Sequence, residues 1–173
     1  MVSLSSFSKF AASAKNAMSS REATTIINNL KTIDASVLKL IEIVNGYTGG
    51  LLAANAISNQ EAALGIDIKN AINDASNQGV TDDEESEEAL VYIESTLQPH
   101  IADSLKALQN KKKELSDAGL QGTVQGDLKE LREQTKALGD TLVSKAPSAK
   151  RPRGEELNQK IDGEFAAAVT YFA

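Results

Sequence analysis

The sequence predicts an all-α fold, a bundle of about five helices, from three observations. Apolar residues recur at three- and four-residue steps through five separate stretches, the period of a helix face rather than of a strand. No run alternates apolar and polar residues as a half-buried strand does. Glycine or proline marks the junctions between stretches, where the backbone has to leave the helix. Long helices joined by short turns pack as near-antiparallel neighbours, so a five-helix antiparallel bundle is expected.

The first helix is expected at about 21–46, with Ile26, Ile27, Leu30, Ile33, Val37, Leu40, Ile41 and Val44 on one face. Asn45-Gly46-Tyr47-Thr48-Gly49-Gly50 ends it with three glycines, suited to the left-handed backbone of a helix C-terminus. The second helix follows Gly50 with Ile57, Leu64, Ile68, Ala71, Ile72 and Ala75, and dissolves at Asn77-Gln78-Gly79. Gly65 inside it costs about 1 kcal/mol against Ala, so tertiary contacts are expected there. Thr81-Asp82-Asp83-Glu84-Glu85 reads as a cap and acidic first turn suited to the positive end of a helix dipole. Ala89, Leu90, Ile93, Leu97, Ile101, Leu105 and Leu108 continue the third stripe, with Pro99 in its middle. A proline removes a hydrogen bond and clashes with the preceding turn, which predicts a kink or break near Thr96 to Pro99. Lys111-Lys112-Lys113 closes this helix, and Ala118-Gly119 is its stop.

The fourth helix, roughly 120–146, carries Val124, Leu128, Leu131, Leu138 and Leu142, and Thr135 stands where the stripe calls for another leucine. A linker with Pro147 and Pro152 leads to the last helix, marked by Leu157, Ile161, Phe165, Ala168, Val169 and Phe172. Residues 1–20, rich in Ser and Ala, read as a weakly structured N-terminal extension in which Phe7, Phe10 and Ala14 suggest a short amphipathic turn. Residues 21–173 form the helical domain. The extension lacks the continuous apolar region of a signal peptide.

Composition narrows the partners. A chain of 173 residues supports one domain with a real core. It has no cysteine, which excludes disulfides and thiolate sites. Lys and Arg number 18 against 24 Asp and Glu, for a formal charge of -6, which argues against nucleic acid and anionic bilayers. No apolar run reaches the roughly 20 residues of a spanning helix, so no stable membrane insertion is expected. Aromatics are 4% and hydrophobic residues 41%, so the interior has to be built from small aliphatic side chains.

Catalytic chemistry finds little support. His100 is the one histidine and is expected at a surface or cap position beside Pro99, with no partner for a zinc or nucleophile–base site. Asp82 with Glu85 and Asp127 with Glu130 read as solvated faces, and no phosphate-binding glycine loop is present. An enzyme, a metal site and a cofactor are not expected. The broad aliphatic stripes leave three readings open: a plain packed core, which the residues alone favour, a cavity for an apolar ligand, or a bundle that opens onto a surface.

The segments TIINNLKTIDASVLKL, NGYTGGLL, HIADSLKALQNKKKELSDAGL, GDLKELREQTKALGDTLVSKAP and KIDGEFAAAVTYF favour the second reading. Through them residues 22–172 resemble the fungal hydrophobic surface-binding protein A family, most closely the lipid-binding domains of antigenic cell-wall galactomannoproteins. The resemblance implies a five-helix bundle holding a long-chain fatty acid in a central apolar tunnel. It also implies secretion or a cell-wall location and, in pathogens, a role in trapping host lipids such as arachidonic acid. A surface-adsorbing protein that coats hydrophobic material and recruits hydrolases is the competing class. Under the resemblance the expected lining is Leu30, Val37, Ile41, Leu64, Ile68, Ile93, Leu97, Leu105, Leu131, Leu138, Ile161 and Phe165. Thr135 is the expected partner of the carboxylate, with Thr141 and Asn158 as neighbours, and the turn at Asn45 to Gly50 is the expected tunnel end. Whether a second copy of the chain covers the tunnel mouth as a homodimer is left open.

Overall fold

The computed structural model describes the backbone of residues 4–173 and the side chains of residues 25–173. The elements are α1 (Leu4–Gly46), α2 (Leu51–Asn77), α3 (Asp83–Tyr92), a π-helical turn (Ile93–Leu97), α4 (Gln98–Asn110), a short α5 (Lys112–Asp117), α6 (Gln121–Lys145) and α7 (Arg151–Tyr171). With α3, the π turn and α4 taken as one rod, there are five long rods. Helical backbone begins at Leu4, ahead of the start expected at 21, and no glycine or proline between the two breaks it. The turn expected at Phe7, Phe10 and Ala14, like the side chains of the expected extension, lies outside the described residues.

Cross-rod contacts give the directions. Asn29 donates to Asp74 at 2.9 Å and Gln60 to the Ser36 carbonyl at 3.1 Å, so α1 and α2 run antiparallel. The bidentate pair of Arg132 with Asp162, at 2.7 and 2.8 Å, and the bond from Gln121 to the Phe172 carbonyl make α6 and α7 antiparallel. Rods that are neighbours in space but not in sequence behave differently. Glu87 pairs with Lys150, Gln98 with Glu164, and Lys112 with the Tyr171 carbonyl, so the α3–α4 rod runs parallel to α7. The main packing contacts join α1 to α2, α2 to α6, α6 to α7, α7 to α4 and α4 back to α1. The five rods therefore close into a ring, and the apolar stripe of each faces its centre.

Local chemistry explains the ends. Gly49 and Gly50 take φ of +116° and +89°, a region that side-chain-bearing residues avoid, and this lets α1 turn into α2. Asp82 caps α3 through a reciprocal box, its carboxylate accepting from the Glu85 amide at 2.9 Å while the Glu85 carboxylate accepts from the Asp82 amide at 3.2 Å. Thr81 precedes the cap and is buried. Gly65 is buried in α2, and a Cβ there would meet Gln134 Oε1 at 2.9 Å. The missing side chain is what lets α2 and α6 approach, the tertiary contact that a mid-helix glycine implied. The lysine run does not simply close a helix: Lys112 opens α5, bonds the Tyr171 carbonyl at 2.5 Å and stands 4.7 Å from the Tyr171 ring centre. It thus places a cation at the negative end of α7.

Pro99 widens the third rod instead of breaking it. The ring of a proline at 99 collides with the carbonyl four residues back, at Ser95. The backbone responds with a π turn in which the Gln98 amide bonds the Ile93 carbonyl, five residues earlier. Pro99 then sits in the first turn of α4, where its missing N–H costs little.

Candidate functional site

The centre of the ring holds a cavity of about 110 Å³. Each rod contributes a stripe: Leu30, Ile33 and Val37 from α1, Leu64 and Ile68 from α2, Leu97, Ile101 and Leu105 from the third rod, Leu131 and Leu138 from α6, and Ile161 and Phe165 from α7. Leu30 and Val37 are 2% exposed. The walls are almost wholly aliphatic, so water inside finds few polar partners, whereas an acyl chain meets carbon on every side.

Of the fifteen residues expected at the site, thirteen line this cavity: Leu30, Val37, Leu64, Ile68, Ile93, Leu97, Leu105, Leu131, Thr135, Leu138, Asn158, Ile161 and Phe165. Ile41 and Thr141 do not. Leu40 takes the lining position on the last turns of α1, one residue out of phase with the expectation, while Ile41 is half-buried against the flank of the core. The Thr141 hydroxyl donates to the Ala137 carbonyl of its own helix at 2.8 Å.

Thr135 stands apart from the helical hydroxyls that bond their own backbone. Thr32, Ser76, Thr141 and Thr170 each donate to the carbonyl four residues back, the usual recourse of a hydroxyl inside a helix. Thr135 is half-buried against the cavity and makes no hydrogen bond with another described residue. Its hydroxyl is open to a polar atom brought in by a ligand. Asn158 is committed elsewhere, donating to Asp140 Oδ1 at 2.8 Å and to the Lys136 carbonyl at 3.4 Å.

Asn158 also fixes how closely α6 and α7 approach. A Cβ added to Gly139 would fall 2.1 Å from Asn158 Oδ1, too close for any adjustment short of displacing the amide. Gly139→Ala is therefore expected to destabilise the fold by about 1–3 kcal/mol, read as a lower thermal midpoint. Adding Asn158→Ala should restore most of that loss. A midpoint unchanged by Gly139→Ala alone would contradict the packing described.

The expected tunnel end at Asn45 to Gly50 is not reached by the cavity. Val44 and Tyr47, 0% and 3% exposed, fill the core beneath that loop. The lining extends instead to the opposite end of the ring, to Thr81, Glu85 and Ser86 on one side and Ala146, Lys150 and Gly154 on the other. Sequence reasoning missed this polar rim, because Thr81 and Glu85 read as a helix cap and Lys150 as part of a linker.

Three acidic groups stand off the cavity, and Asp127 among them departs from its expected role. Asp34, 7% exposed, accepts from Tyr92 at 3.1 Å and pairs with His100 Nδ1 at 2.7 Å. His100 thus ties α4 to α1 instead of standing free beside the proline. Glu61 on α2 is 4% exposed, with its carboxyl beside that of Asp127. Burial pushes its pKa up to about 8, and the nearby Asp127 carboxyl adds to the effect. Asp127 is itself raised, mainly by burial, so it belongs to a seam between α2 and α6 rather than to a solvated face. One signal pointed to Glu61: it stands at helical spacing between Ile57 and Leu64, where the stripe calls for an apolar residue.

Comparison with known proteins follows the same lines. The sequence profile of the family described as Hydrophobic surface binding protein A matches residues 23–144. Among solved structures the chain is similar to AfMP4p in complex with palmitic acid, at 31% identity over 87% of this chain and 99% of that one, with a TM-score of 0.84. It is also similar to ligand binding domain 1 of the Penicillium marneffei MP1 protein complexed with arachidonic acids, at 19% identity over 88% of this chain and 99% of that one, TM-score 0.83. Domain 2 of the same protein, complexed with multiple arachidonic acids, matches at 19% identity over 87% of this chain and 95% of that one, TM-score 0.82. For these two domains the likeness is one of fold. A search of curated proteins finds no match. Among the described residues no helix is long and apolar enough to cross a membrane.

Proposed function

We propose that this chain, which belongs to the hydrophobic surface binding protein A family, is a non-enzymatic carrier that binds and sequesters long-chain fatty acids in the centre of its helical ring. The observation that carries this reading is a cavity walled by aliphatic side chains from all five rods, with one unengaged hydroxyl, Thr135, on its wall. The relative AfMP4p, whose fold the chain shares over nearly its full length, is in complex with palmitic acid. The ligand is a palmitate- or arachidonate-like acid. Secretion to the cell wall or beyond, trapping of host lipids, and a domain that begins at about residue 21 complete the reading.

The energetics favour a long chain over a short one. Each methylene removed from water contributes about 0.8 kcal/mol, so affinity rests on the tail, and the head group needs only a hydrogen bond or two. Protein purified from cells and denatured should release fatty acid detectable by mass spectrometry, and stripped protein should take up labelled palmitate near one-to-one or above. A lipid-free preparation that also takes up none would end this reading.

Thr135→Val, nearly isosteric, should weaken fatty-acid binding by about five- to tenfold, since one hydrogen bond contributes about 1 kcal/mol. Binding of the corresponding alkane should not change. Equal effects on both ligands would move the carboxylate's partner elsewhere.

A second reading is favoured by Leu51 and Leu52, 63% and 88% exposed at the start of α2. Two adjacent solvent-facing leucines suit adsorption to hydrophobic material. Strong depletion by polystyrene beads without stoichiometric fatty-acid binding would favour this reading over the carrier.

A further inference from the structure

An acyl chain has to enter the ring, and the two ends of the cavity differ. One is closed by Val44 and Tyr47 beneath the glycine turn. At the other, the lining runs out on both sides of the seam between α3 and the start of α7, through Glu85, Ser86 and Ala89 on one side and Ala146, Lys150 and Gly154 on the other. The backbone of α3 packs mainly on α1 and the π turn. Ion pairs bridge the seam: Lys150 Nζ, just before α7, to Glu87 Oε2 of α3 at 2.5 Å, Arg153 Nη1 to Glu87 Oε1 at 2.7 Å, and Arg153 Nη2 to Glu94 of the π turn.

We propose that this seam is the gate of the cavity, and that Lys150 and Arg153, latched by Glu87, receive the carboxylate of an entering fatty acid. The proposal rests on the fatty-acid reading above. Three observations bear on it. The paired side chains are between 26% and 57% exposed, and pairs this wet are held weakly, so the latch can open without a large barrier. A ligand carboxylate that takes the place of Glu87 conserves the charge pairing, which makes the exchange nearly even. The neighbouring cations are committed to backbone: Lys145 to the Ser76 and Gln78 carbonyls at 3.0 and 2.6 Å, and Arg151 to the Ala146 and Ser144 carbonyls at 3.0 and 3.3 Å. Lys150 and Arg153 are left as the exchangeable pair. The α3 side of the seam carries Asp82, Asp83, Glu84, Glu85, Glu87 and Glu88, so Lys150 on the rim and Arg153 beside it are the charges that offset repulsion of an approaching anion.

The polar rim also limits what passes. Thr81 and Ser86 share a hydrogen bond at 2.6 Å, and Thr81 reaches the Lys145 carbonyl at 3.2 Å. These hydroxyls give a head group successive partners on its way past the latch, while the tail meets the small side chains of Ala89 and Ala146.

The test is stopped-flow binding of cis-parinaric acid and of its uncharged alcohol to delipidated full-length chain, at low and high salt. Lys150→Met/Arg153→Met also undoes the latch, so the alcohol should enter faster, as in Glu87→Gln. The ratio of acid to alcohol association rates should fall about tenfold at low salt, and high salt should bring the ratio of the unaltered chain down to the variant's. Glu87→Gln should speed entry and exit of both probes. An acid-to-alcohol rate ratio that is the same with and without the two cations, or independent of salt, would overturn the gate, as would a Glu87→Gln protein with unaltered rates for both probes. If neither probe binds the unaltered chain at equilibrium, the fatty-acid reading fails and takes the gate with it.

Discussion

Leu131→Glu should abolish fatty-acid binding, lowering affinity by about a hundredfold or more, while Lys129→Ala, two residues away, should leave it unchanged. Leu131 is 4% exposed and lines the cavity, whereas Lys129 points outward and donates to Gln125 at 3.3 Å. A carboxylate introduced at this position either remains charged in an apolar wall or takes up a proton, and both cost several kcal/mol. It also meets the ligand's own tail with a polar group. Titration with a fluorescent fatty acid measures the loss, and circular dichroism separates it from unfolding. Leu131→Met, close in volume, is expected to keep both fold and binding. Equal loss in the Leu131→Glu and Lys129→Ala variants would show that the inner face of α6 is assigned wrongly.

The second large effect is on stability and concerns no ligand. Glu61 has its pKa raised from 4.5 to about 8, first by burial and then by Asp127. The folded chain therefore holds this proton more tightly than the unfolded chain does. Its contribution is fully present below about pH 4.5 and falls as pH rises, until the folded group itself ionises near 8. At about 1.4 kcal/mol per unit, the loss across that window is on the order of 5 kcal/mol. Glu61→Gln, neutral throughout, should remove this slope. Denaturation at about pH 5 and about pH 8 should show the variant gaining on the unaltered chain as pH rises. Parallel pH profiles for the two would mean that Glu61 is not held as a buried acid.

Much of the ring was legible residue by residue. Leu30, Val37, Leu131 and Leu138 betray themselves by spacing, because a helix repeats its inward face every three or four residues. Thr135 was legible as a hydroxyl on an apolar stripe. Ile41 was misplaced because Leu40 and Ile41 are both aliphatic, and spacing alone does not decide which of two adjacent leucine-like residues faces inward. Other features depend on which rods adjoin. Asp34 and His100, 66 positions apart, meet only because α1 and α4 are neighbours in the ring, and Glu61 meets Asp127 only because α2 and α6 run side by side. The polar rim formed by Thr81, Ser86 and Lys150 comes from the start of α3 and two loops, whose proximity no periodic pattern reports. The tunnel end was assigned to the glycine turn for its small residues, but Tyr47, inside that same turn, folds inward and closes it.

The π turn at Ile93–Leu97 has a consequence for the chain's tolerance to length change. An α-helix advances about 100° per residue, so a stripe stepping by four drifts sideways along the rod. The widened turn absorbs one residue within the rod, and Leu90 before it and Ile101, Leu105 and Leu108 after it all line the cavity. Loss of one residue from this turn would return it to an ordinary α turn and leave the two halves of the rod close to their present relation, whereas loss of one residue elsewhere in the rod would swing one half by about 100° against the other and carry its leucines off the cavity. The third rod behaves like two keys cut on one shaft, and the π turn is the slack that takes up a residue between them.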